Sequence, residues 1–156
     1  MQKFTRIEPG AYEFFHHTPV QIRFNDIDIM GHVNNAVFQY YFDYARLKYF
    51  GQVFKNPVSW EATSLILAGI CIDYLHTLHL DDEIIVASKV IQLGNKSLQM
   101  VQELQKLPEK KTISLNRSVL VAYYAPSGCS VPLPEEWKND IIAFEKEIGF
   151  KHPDPA

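Results

Sequence analysis

Chemically useful side chains are concentrated in the stretch Asp26 to Asn35, which contains two aspartates, a histidine and two asparagines. A carboxylate such as Asp28 can act as a general base or as a nucleophile. Asn34 or Asn35 offers a side-chain oxygen that caps the N-terminus of a helix. The first turn of a helix has unpaired backbone N–H groups, and the helix dipole adds positive potential there. The stretch therefore predicts a carboxylate beside an electropositive helix end, an arrangement that stabilises a developing oxyanion.

The helix predicted to follow, Ala36 to Phe50, is apolar on nearly every side. A polar stripe at helical spacing is made of Gln39, Asp43 and Arg46. A helix that is apolar almost all round is a buried helix, and the charges inside it exclude a membrane span. We therefore expect the rest of the protein to wrap around this helix, which should end near Gly51 as its C-cap.

Strand patterns lie on both sides of the helix. Before it, Val20, Ile22 and Phe24 alternate with polar residues, which predicts a half-buried strand. After it, the run Ser64 to Leu80 is apolar on both faces, with Leu65, Leu67, Gly69 and Cys71 on one face and Gly69 as a bulge or bend. Three further strands are predicted at Glu83 to Leu93, Ser97 to Leu107 and Ile113 to Tyr123, the first two joined by a hairpin at Gly94-Asn95.

The C-terminal part predicts an amphipathic helix at about 134–149, with Pro134 at its start. Its apolar positions have helical spacing: Trp137, Ile141, Phe144 and Ile148. The order strand, buried helix, four strands, surface helix indicates an α+β domain with antiparallel pairing, and residues 1–156 are predicted to form that one domain. Because a sheet covers only the inner sides of an apolar helix, we also expect the protein to self-associate.

Composition excludes several function classes. The formal net charge of −3 gives no reason to expect nucleic-acid binding, so an anionic ligand would need a local basic patch. Cys71 and Cys129 lack metal-like spacing, and no metal site is predicted. The first residues lack the apolar core of a signal peptide, so a reducing cytoplasm is the expected location.

The motif Asp26-Ile-Asp28-Ile-Met-Gly31-His32-Val-Asn34-Asn35, followed by an aromatic-rich helix with Ala45-Arg46, resembles the signature of hotdog-fold thioesterases. The resemblance is strongest to the 4-hydroxybenzoyl-CoA thioesterase-like branch, and it covers roughly residues 18 to 125. The segments 72–75 and 80–83 are similar to that branch's second and third strands. The resemblance implies a hotdog fold, in which a curved antiparallel sheet is wrapped around a long central helix.

The same resemblance implies hydrolysis of an acyl thioester of coenzyme A or of an acyl carrier protein. Coenzyme A would arrive as part of the substrate, and no cofactor of the protein's own is expected. The resemblance further implies a homodimer with shared active sites, or a dimer of dimers. Its catalytic carboxylate corresponds to Asp28. Asn35 stands where well-known branches have His or Tyr, and His32 matches a histidine of plant fatty acyl-carrier-protein thioesterases.

The resulting hypothesis assigns Asp28, His32 and Asn35 to catalysis. Asp28 would activate water or attack the thioester directly, and backbone N–H groups from Val33 to Asn35 would polarise its carbonyl. Asp26 is interpreted as a structural acid of the turn. The residues expected to bind substrate are Gly31, Val33, Asn34, Lys96 and Ser97, and Arg117 is a further candidate for the phosphates of coenzyme A.

Two other functions remain open from the sequence. A hotdog hydratase or dehydratase would need His32 and Asp28 on opposite sides of a substrate double bond. A non-catalytic acyl-binding or assembly protein would keep the fold for dimerisation alone. Enoyl-CoA hydration assayed beside thiol release distinguishes the first alternative, and absence of thiol release across a broad panel would favour the second.

Overall fold

A computed structural model of the chain describes residues 6–56, 59, 61–146 and 149–150. Two helices and seven strands are formed by the described residues. The strands are β1 (His16–Val20), β2 (Thr63–Tyr74), β3 (Ile84–Leu93), β4 (Ser97–Lys106), β5 (Lys111–Tyr124), β6 (Cys129–Ser130) and β7 (Gly149–Phe150). The helices are α1 (Asn35–Val53) and α2 (Glu135–Glu145). None of the helices in these ranges is long and apolar enough to cross a membrane.

The long helix α1 begins as the sequence predicts and ends later. Asn34 is its N-cap, and the Asn34 side chain accepts a hydrogen bond from the Ala36 N–H at 2.9 Å. The helix continues through Gly51 to Val53, where the Phe54 N–H bonds the Phe50 carbonyl. The prediction of Gly51 as C-cap is therefore wrong. Burial of Val53 and Phe54 outweighs the roughly 1 kcal/mol that a helical glycine costs.

The described strands form one sheet in the order β1-β3-β4-β5-β2, with β6 and β7 extending it beside β5 and β3. All pairs are antiparallel except β3–β7. The predicted β3–β4 hairpin is confirmed, since Gly94 N–H bonds the Ser97 carbonyl at 2.8 Å. The apolar residues between α1 and the sheet form two clusters, one at each end of the helix. This arrangement fits the predicted curved sheet around a long central helix.

The first strand lies earlier than the sequence predicts. It spans His16–Val20, and Phe24, predicted to be in the strand, is 80% exposed at the start of a short 3₁₀ turn, Phe24–Asp26. The physical reason is a local competitor for backbone pairing. The Arg23 N–H and guanidinium both bind the Asp26 carboxylate, which closes the turn and ends the strand pattern.

The strand β2 is shorter than its apolar run, and its faces exchange along its length. It ends at Tyr74, and the pairing with β5 shifts between Leu67 and Gly69, which confirms the predicted bulge. The bulge moves every later residue to the other face. Leu65 consequently packs on one apolar cluster beneath α1, and Ile72 packs on the other.

The exposed face of α1 carries apolar side chains, as expected for an apolar helix of which the sheet covers only the inner sides. Tyr40, Tyr44 and Leu47 are exposed on the single chain, whereas Arg46 is buried with only 9% of its surface accessible. Arg46 is bonded to Asp43, one turn before it. Arg46 therefore faces the interior of the protein, while its partner Asp43 keeps 41% of its side chain accessible and the apolar stripe faces outward.

The second helix confirms the predicted amphipathic segment but is shorter. Trp137 and Ile141 are buried in the apolar cluster near the C-terminal end of α1. The helix ends at Glu145, and Gly149–Phe150 pairs in parallel with β3. Glu145 is completely buried and accepts hydrogen bonds from the Tyr49 hydroxyl, the Lys89 ammonium and the Val90 N–H, which fix this end of the helix. Ile148 lies outside the described residues.

Candidate active site

The turn after the 3₁₀ segment holds the Asp28 carboxylate in a fixed orientation. Its Oδ1 accepts hydrogen bonds from the Met30 N–H at 2.9 Å and the His32 N–H at 3.3 Å. The Asp28 N–H in turn bonds the His32 carbonyl at 2.8 Å. Oδ2 has no partner among the residues that the structure describes. One carboxylate oxygen is thus held by the backbone, and the other is available for a ligand or a water.

Gly31 closes this turn. Its N–H bonds the Asp28 carbonyl at 3.0 Å, and its φ of +80° is in the left-handed region that glycine adopts at little cost. A Cβ at this position would meet no atom within 4 Å, so the requirement for glycine is conformational and not steric crowding. Gly31 therefore positions Asp28 through the backbone.

Asp28 opens onto a cleft of about 500 Å³ beside the N-terminus of α1. One wall is the turn and the helix start, from Asp28 to Asn35, with Phe38 behind it. The other wall is the segment Tyr74–Thr77, which follows β2. A hydrogen bond joins the two walls, since the Tyr74 hydroxyl donates to the Asn35 carbonyl at 3.1 Å. Asp28, His32, Val33, Asn34 and Asn35 all line this cleft.

Only one of the three predicted backbone donors is available in the cleft. The Val33 N–H bonds the Leu78 carbonyl at 2.9 Å, and the Asn34 N–H bonds the Asp26 carbonyl at 2.9 Å. The hypothesis that these two groups polarise a substrate is therefore wrong. The Asn35 N–H, the first of α1, has no partner in the described part of the chain. It is the donor that the helix end leaves for a ligand.

Asp26 is a structural acid, as the sequence predicts. It is buried and accepts hydrogen bonds from the Tyr41 hydroxyl at 2.6 Å and from Arg23. Burial alone would raise the pKa of the Asp26 carboxyl, but the bonds from Tyr41 and Arg23 outweigh it and hold that pKa below 3.8. Asp26 is not among the residues that line the cleft, and its bond to Tyr41 anchors the turn against α1. It is therefore not placed to contact a substrate in the cleft.

We expect Asp26→Asn to destabilise the protein by about 1–3 kcal/mol at neutral pH, because charge-assisted bonds in a buried place are lost. The folded-state pKa is lowered, so this contribution is complete above the ordinary value of 3.8 and is lost as the pH falls below it. Urea unfolding of wild type and variant between neutral and acid pH measures the difference. A difference that does not shrink in acid would contradict this account.

A histidine pair lies at the edge of the cleft. The rings of His32 and His79 meet edge to face with centroids 5.0 Å apart. The backbone N–H of His79 donates to Asp82 at 2.9 Å, and Asp82 also pairs with the Lys106 ammonium at 2.6 Å. His79 is thus anchored on the β2–β3 connection, and its ring holds the His32 ring at the edge of the cleft. His32 lines the same cleft as Asp28.

The Tyr74–Thr77 wall was not predicted from the sequence. The sequence pattern predicts one strand to Leu80, although polar residues at His76 and Thr77 interrupt the apolar run. The strand ends at that interruption, and the chain returns to bond Val33 through the Leu78 carbonyl. The break in alternation was therefore the signal for the second wall.

Comparison with known proteins identifies the family of the chain. Residues 22–141, more than half of the chain, match the thioesterase-like superfamily. The chain belongs to the thioesterase-like superfamily. It is similar to a thioesterase from Thermus thermophilus, solved in complex with coenzyme A and Zn, at 32% identity with a TM-score of 0.75, covering 86% of this chain and 96% of that one.

The chain is also similar to two further proteins over most of its length. The PA5185 protein from Pseudomonas aeruginosa strain PAO1 has a TM-score of 0.77 and 25% identity, covering 85% of this chain and 92% of that one. The protein YsmA from Bacillus subtilis (strain 168), which is called uncharacterized, is 25% identical over 132 residues, 85% of this chain and 87% of its own. The predicted hotdog fold and its thioesterase-like relationship are confirmed.

Lys96, Ser97 and Arg117, which the sequence predicts as candidate substrate-binding residues, lie away from the cleft. Lys96 and Ser97 are at the far end of the sheet, where the Lys96 ammonium bonds the Ser130 carbonyl at 3.2 Å. Leu104, which packs with Val33 and Phe38 near the cleft, is seven positions along β4 from Ser97, a distance of roughly 23 Å. Arg117 is on the sheet face away from α1 and bonds Asp73 at 2.6 Å. Within one chain, none of the three reaches Asp28.

The described residues include no group of three or more His, Cys, Asp and Glu side chains able to hold a metal ion. Both cysteines are free thiols, Cys71 half-buried and Cys129 exposed.

Proposed function

We propose that this protein hydrolyses the thioester of an acyl-coenzyme A or acyl-carrier-protein substrate to a free acid and a thiol. The observation that carries the proposal is that Asp28 and Asn35 line one cleft. Among the described residues, the Asp28 Oδ2 and the Asn35 N–H have no hydrogen-bond partner, whereas the Asp28 Oδ1 is held by the backbone. The oxygen of a thioester carbonyl bound there would accept a hydrogen bond from the Asn35 N–H. The Asp28 carboxylate could then attack the carbonyl carbon or activate a water molecule that attacks it. The coenzyme A of the Thermus relative supports a thioester of this kind.

The thiolate leaving group needs little assistance from further side chains. A simple thiol has a pKa of about 8.5, so a thiolate leaves without a strong general acid. In the base-catalysed route, water attacks the carbonyl carbon while Asp28 takes its proton, and the C–S bond then breaks. In the nucleophilic route, an Asp28 oxygen forms an anhydride as the thiolate leaves, and water hydrolyses the anhydride. Both routes place the developing oxyanion at the Asn35 N–H.

We further propose that the active protein is a homodimer or a dimer of dimers. Strand β2 ends the sheet with an edge not paired by any described strand, and α1 exposes Tyr40, Tyr44 and Leu47. Unpaired edges and apolar faces of this kind are covered in stable proteins. Light scattering on the eluting protein should give at least twice the chain mass of 18.0 kDa. A monomer at micromolar concentration would refute this part of the proposal.

A thiol-release assay tests the activity itself. We expect release from at least one member of a panel of short, long and aromatic acyl-CoAs, at pH 7–8, with hydration of an enoyl-CoA measured in parallel. Release with no hydration is the expected outcome. Hydration without thiol release would support a hydratase, and inactivity on the whole panel, including acyl-carrier-protein thioesters, would support a non-catalytic acyl-binding protein.

A further inference from the structure

Tyr74, the last residue of β2, reaches across the cleft to the start of α1. Its ring packs edge to face on the Phe38 ring, with centroids 5.2 Å apart and planes at 85°. Phe38 is almost completely buried, whereas Tyr74 keeps 45% of its surface accessible and lines the Asp28 cleft. The Tyr74 ring is therefore fixed by the apolar core on one side and open to a ligand on the other.

The hydrogen bond of the Tyr74 hydroxyl determines what that group can still bind. The bond runs to the Asn35 carbonyl at 3.1 Å, and a carbonyl oxygen can only accept. The hydroxyl therefore gives its one hydrogen to Asn35, and its oxygen keeps lone pairs for a donor. Since no residue in the described part of the chain donates to this oxygen, Tyr74 presents an acceptor to the cleft.

This acceptor lies close to the donor proposed for the thioester carbonyl. The nitrogen and the carbonyl oxygen of one residue are at most about 4 Å apart, by ordinary bond lengths. Together with the 3.1 Å from the Tyr74 oxygen to the Asn35 oxygen, this places the Tyr74 oxygen within about 7 Å of the Asn35 nitrogen. A ligand bound at the Asn35 N–H can therefore also donate to Tyr74, if its own acceptor and donor are a few bonds apart.

Thioesters of coenzyme A and of acyl carrier proteins carry such a donor. In both, the sulfur is followed by two methylene groups and an amide N–H, which begin the pantetheine arm. Four bonds separate the amide nitrogen from the thioester carbonyl carbon, and they span about 4–6 Å. This span is compatible with a carbonyl at the Asn35 N–H and an amide at Tyr74.

We propose that the Tyr74 hydroxyl oxygen accepts a hydrogen bond from this amide N–H, so that Tyr74 selects thioesters carrying a pantetheine arm. The proposal rests on the thioesterase function proposed above, since it takes the thioester carbonyl to be bound at the Asn35 N–H. His76 and Thr77 line the same wall, but no described residue hydrogen-bonds their side chains, whereas Phe38 and Asn35 both hold Tyr74. An acceptor that is already positioned loses less side-chain entropy on binding.

Two thioesters that differ in a single group test this contact. The N-acetylcysteamine thioester of the best acyl group keeps the amide N–H, and the matching thioester of mercaptoethyl acetate has an ester oxygen in its place. We expect wild-type kcat/KM to be at least about fivefold higher for the amide, because the ester oxygen leaves Tyr74 without a donor. Equal kcat/KM for the two substrates would overturn the proposal.

Tyr74→Phe removes the hydroxyl and keeps the ring against Phe38. We expect the ratio of kcat/KM for the amide to kcat/KM for the ester to fall at least about threefold, toward one. Loss of the bond to the Asn35 carbonyl acts on both substrates alike and cancels in this ratio. An equal loss on both substrates would mean that Tyr74 only positions Asn35, and it would overturn the proposal.

Ser114→Ala is the matched control for the end of β2. Ser114 is directly paired with Tyr74, its hydroxyl donates to the Asp73 carbonyl at 2.8 Å, and it is not among the residues that line the cleft. The variant loosens the same strand end and removes no group from the cleft, so it should keep the wild-type ratio. A fall in the ratio as large as in Tyr74→Phe would assign the effect to the strand end and overturn the proposal.

Complete substrates distinguish the two sources of the arm. Thiol release by wild type and by Tyr74→Phe is measured with the acyl-CoA and the acyl-carrier-protein thioester of the same acyl group. We expect a lower kcat/KM in the variant for the carrier that the wild type prefers, which identifies the source. Unchanged kcat/KM with both carriers would overturn the proposal.

Binding separates failure of the Tyr74 contact from failure of the thioesterase proposal. Ketone analogues of the amide and ester substrates, in which a methylene group replaces the sulfur and prevents hydrolysis, are titrated by NMR into wild type and Tyr74→Phe. A lower Kd for the amide analogue in wild type alone supports the contact even if no thiol is released. Thiol release with the same amide-to-ester ratios of kcat/KM and Kd in both proteins overturns the contact and leaves the thioesterase proposal standing.

Discussion

Asp28→Asn is expected to lower kcat for thiol release by about 10²-fold or more while the protein folds normally. An asparagine side-chain oxygen can still accept hydrogen bonds from the Met30 and His32 N–H groups, so the turn is retained. What is lost is the basic or nucleophilic oxygen, Oδ2, which the turn leaves available. Steady-state thiol release on the best acyl-CoA, together with urea unfolding, measures both parts of the expectation.

Asp26→Asn is the matched control for that substitution. It removes a carboxylate only two residues away, but one that is buried against Tyr41 and Arg23 and does not line the cleft. The two variants should therefore separate, Asp28→Asn losing activity and Asp26→Asn losing stability. An Asp28→Asn protein with wild-type kcat would remove Asp28 from the chemistry, whatever its stability.

Much of the fold could be predicted because local signals and long-range packing agree. The Asn34 cap, the Gly94-Asn95 hairpin and the Pro134 helix start each depend on a few adjacent residues. The errors arise where long-range packing decides. Gly51 stays helical because residues beyond it enter the core, and the predicted bulge at Gly69 places Cys71 on the opposite face of β2 from Leu65. Neither effect is visible in periodicity alone.

The site could be predicted in part for a similar reason. Asp28, Gly31 and Asn34 act through bonds within a few residues, so their spacing carries the information. The second wall, Tyr74 to Thr77, meets the first only after the chain has crossed the sheet. The sequence predicts that the Val33 and Asn34 N–H groups face substrate. The Leu78 carbonyl that accepts from Val33 comes close only through this tertiary contact, and the Asp26 carbonyl that accepts from Asn34 comes close only when the turn folds. Sequence proximity to a helix end does not show which donors remain free.

The backbone donor at Asn35 can be removed without removing the helix. Proline is well tolerated at the first position of a helix, where its missing N–H has no helical partner. The residue before proline must be extended, and Asn34 already has φ −59° and ψ 136°. The Tyr74 bond to residue 35 uses its carbonyl, which proline retains. Asn35→Pro therefore deletes the donor of the cleft and changes little else in the backbone.

We expect Asn35→Pro to lower kcat for thiol release by about 10²–10³-fold, because the developing oxyanion loses its donor at the helix end. Asn35→Ala is the reference, since it also lacks the asparagine side chain but keeps the N–H. The alanine variant should be at least about tenfold more active than the proline variant, at equal stability in urea. Equal activity of the two would mean that the N–H takes no part in the reaction, and a loss as large in alanine as in proline would assign the effect to the Asn35 side chain.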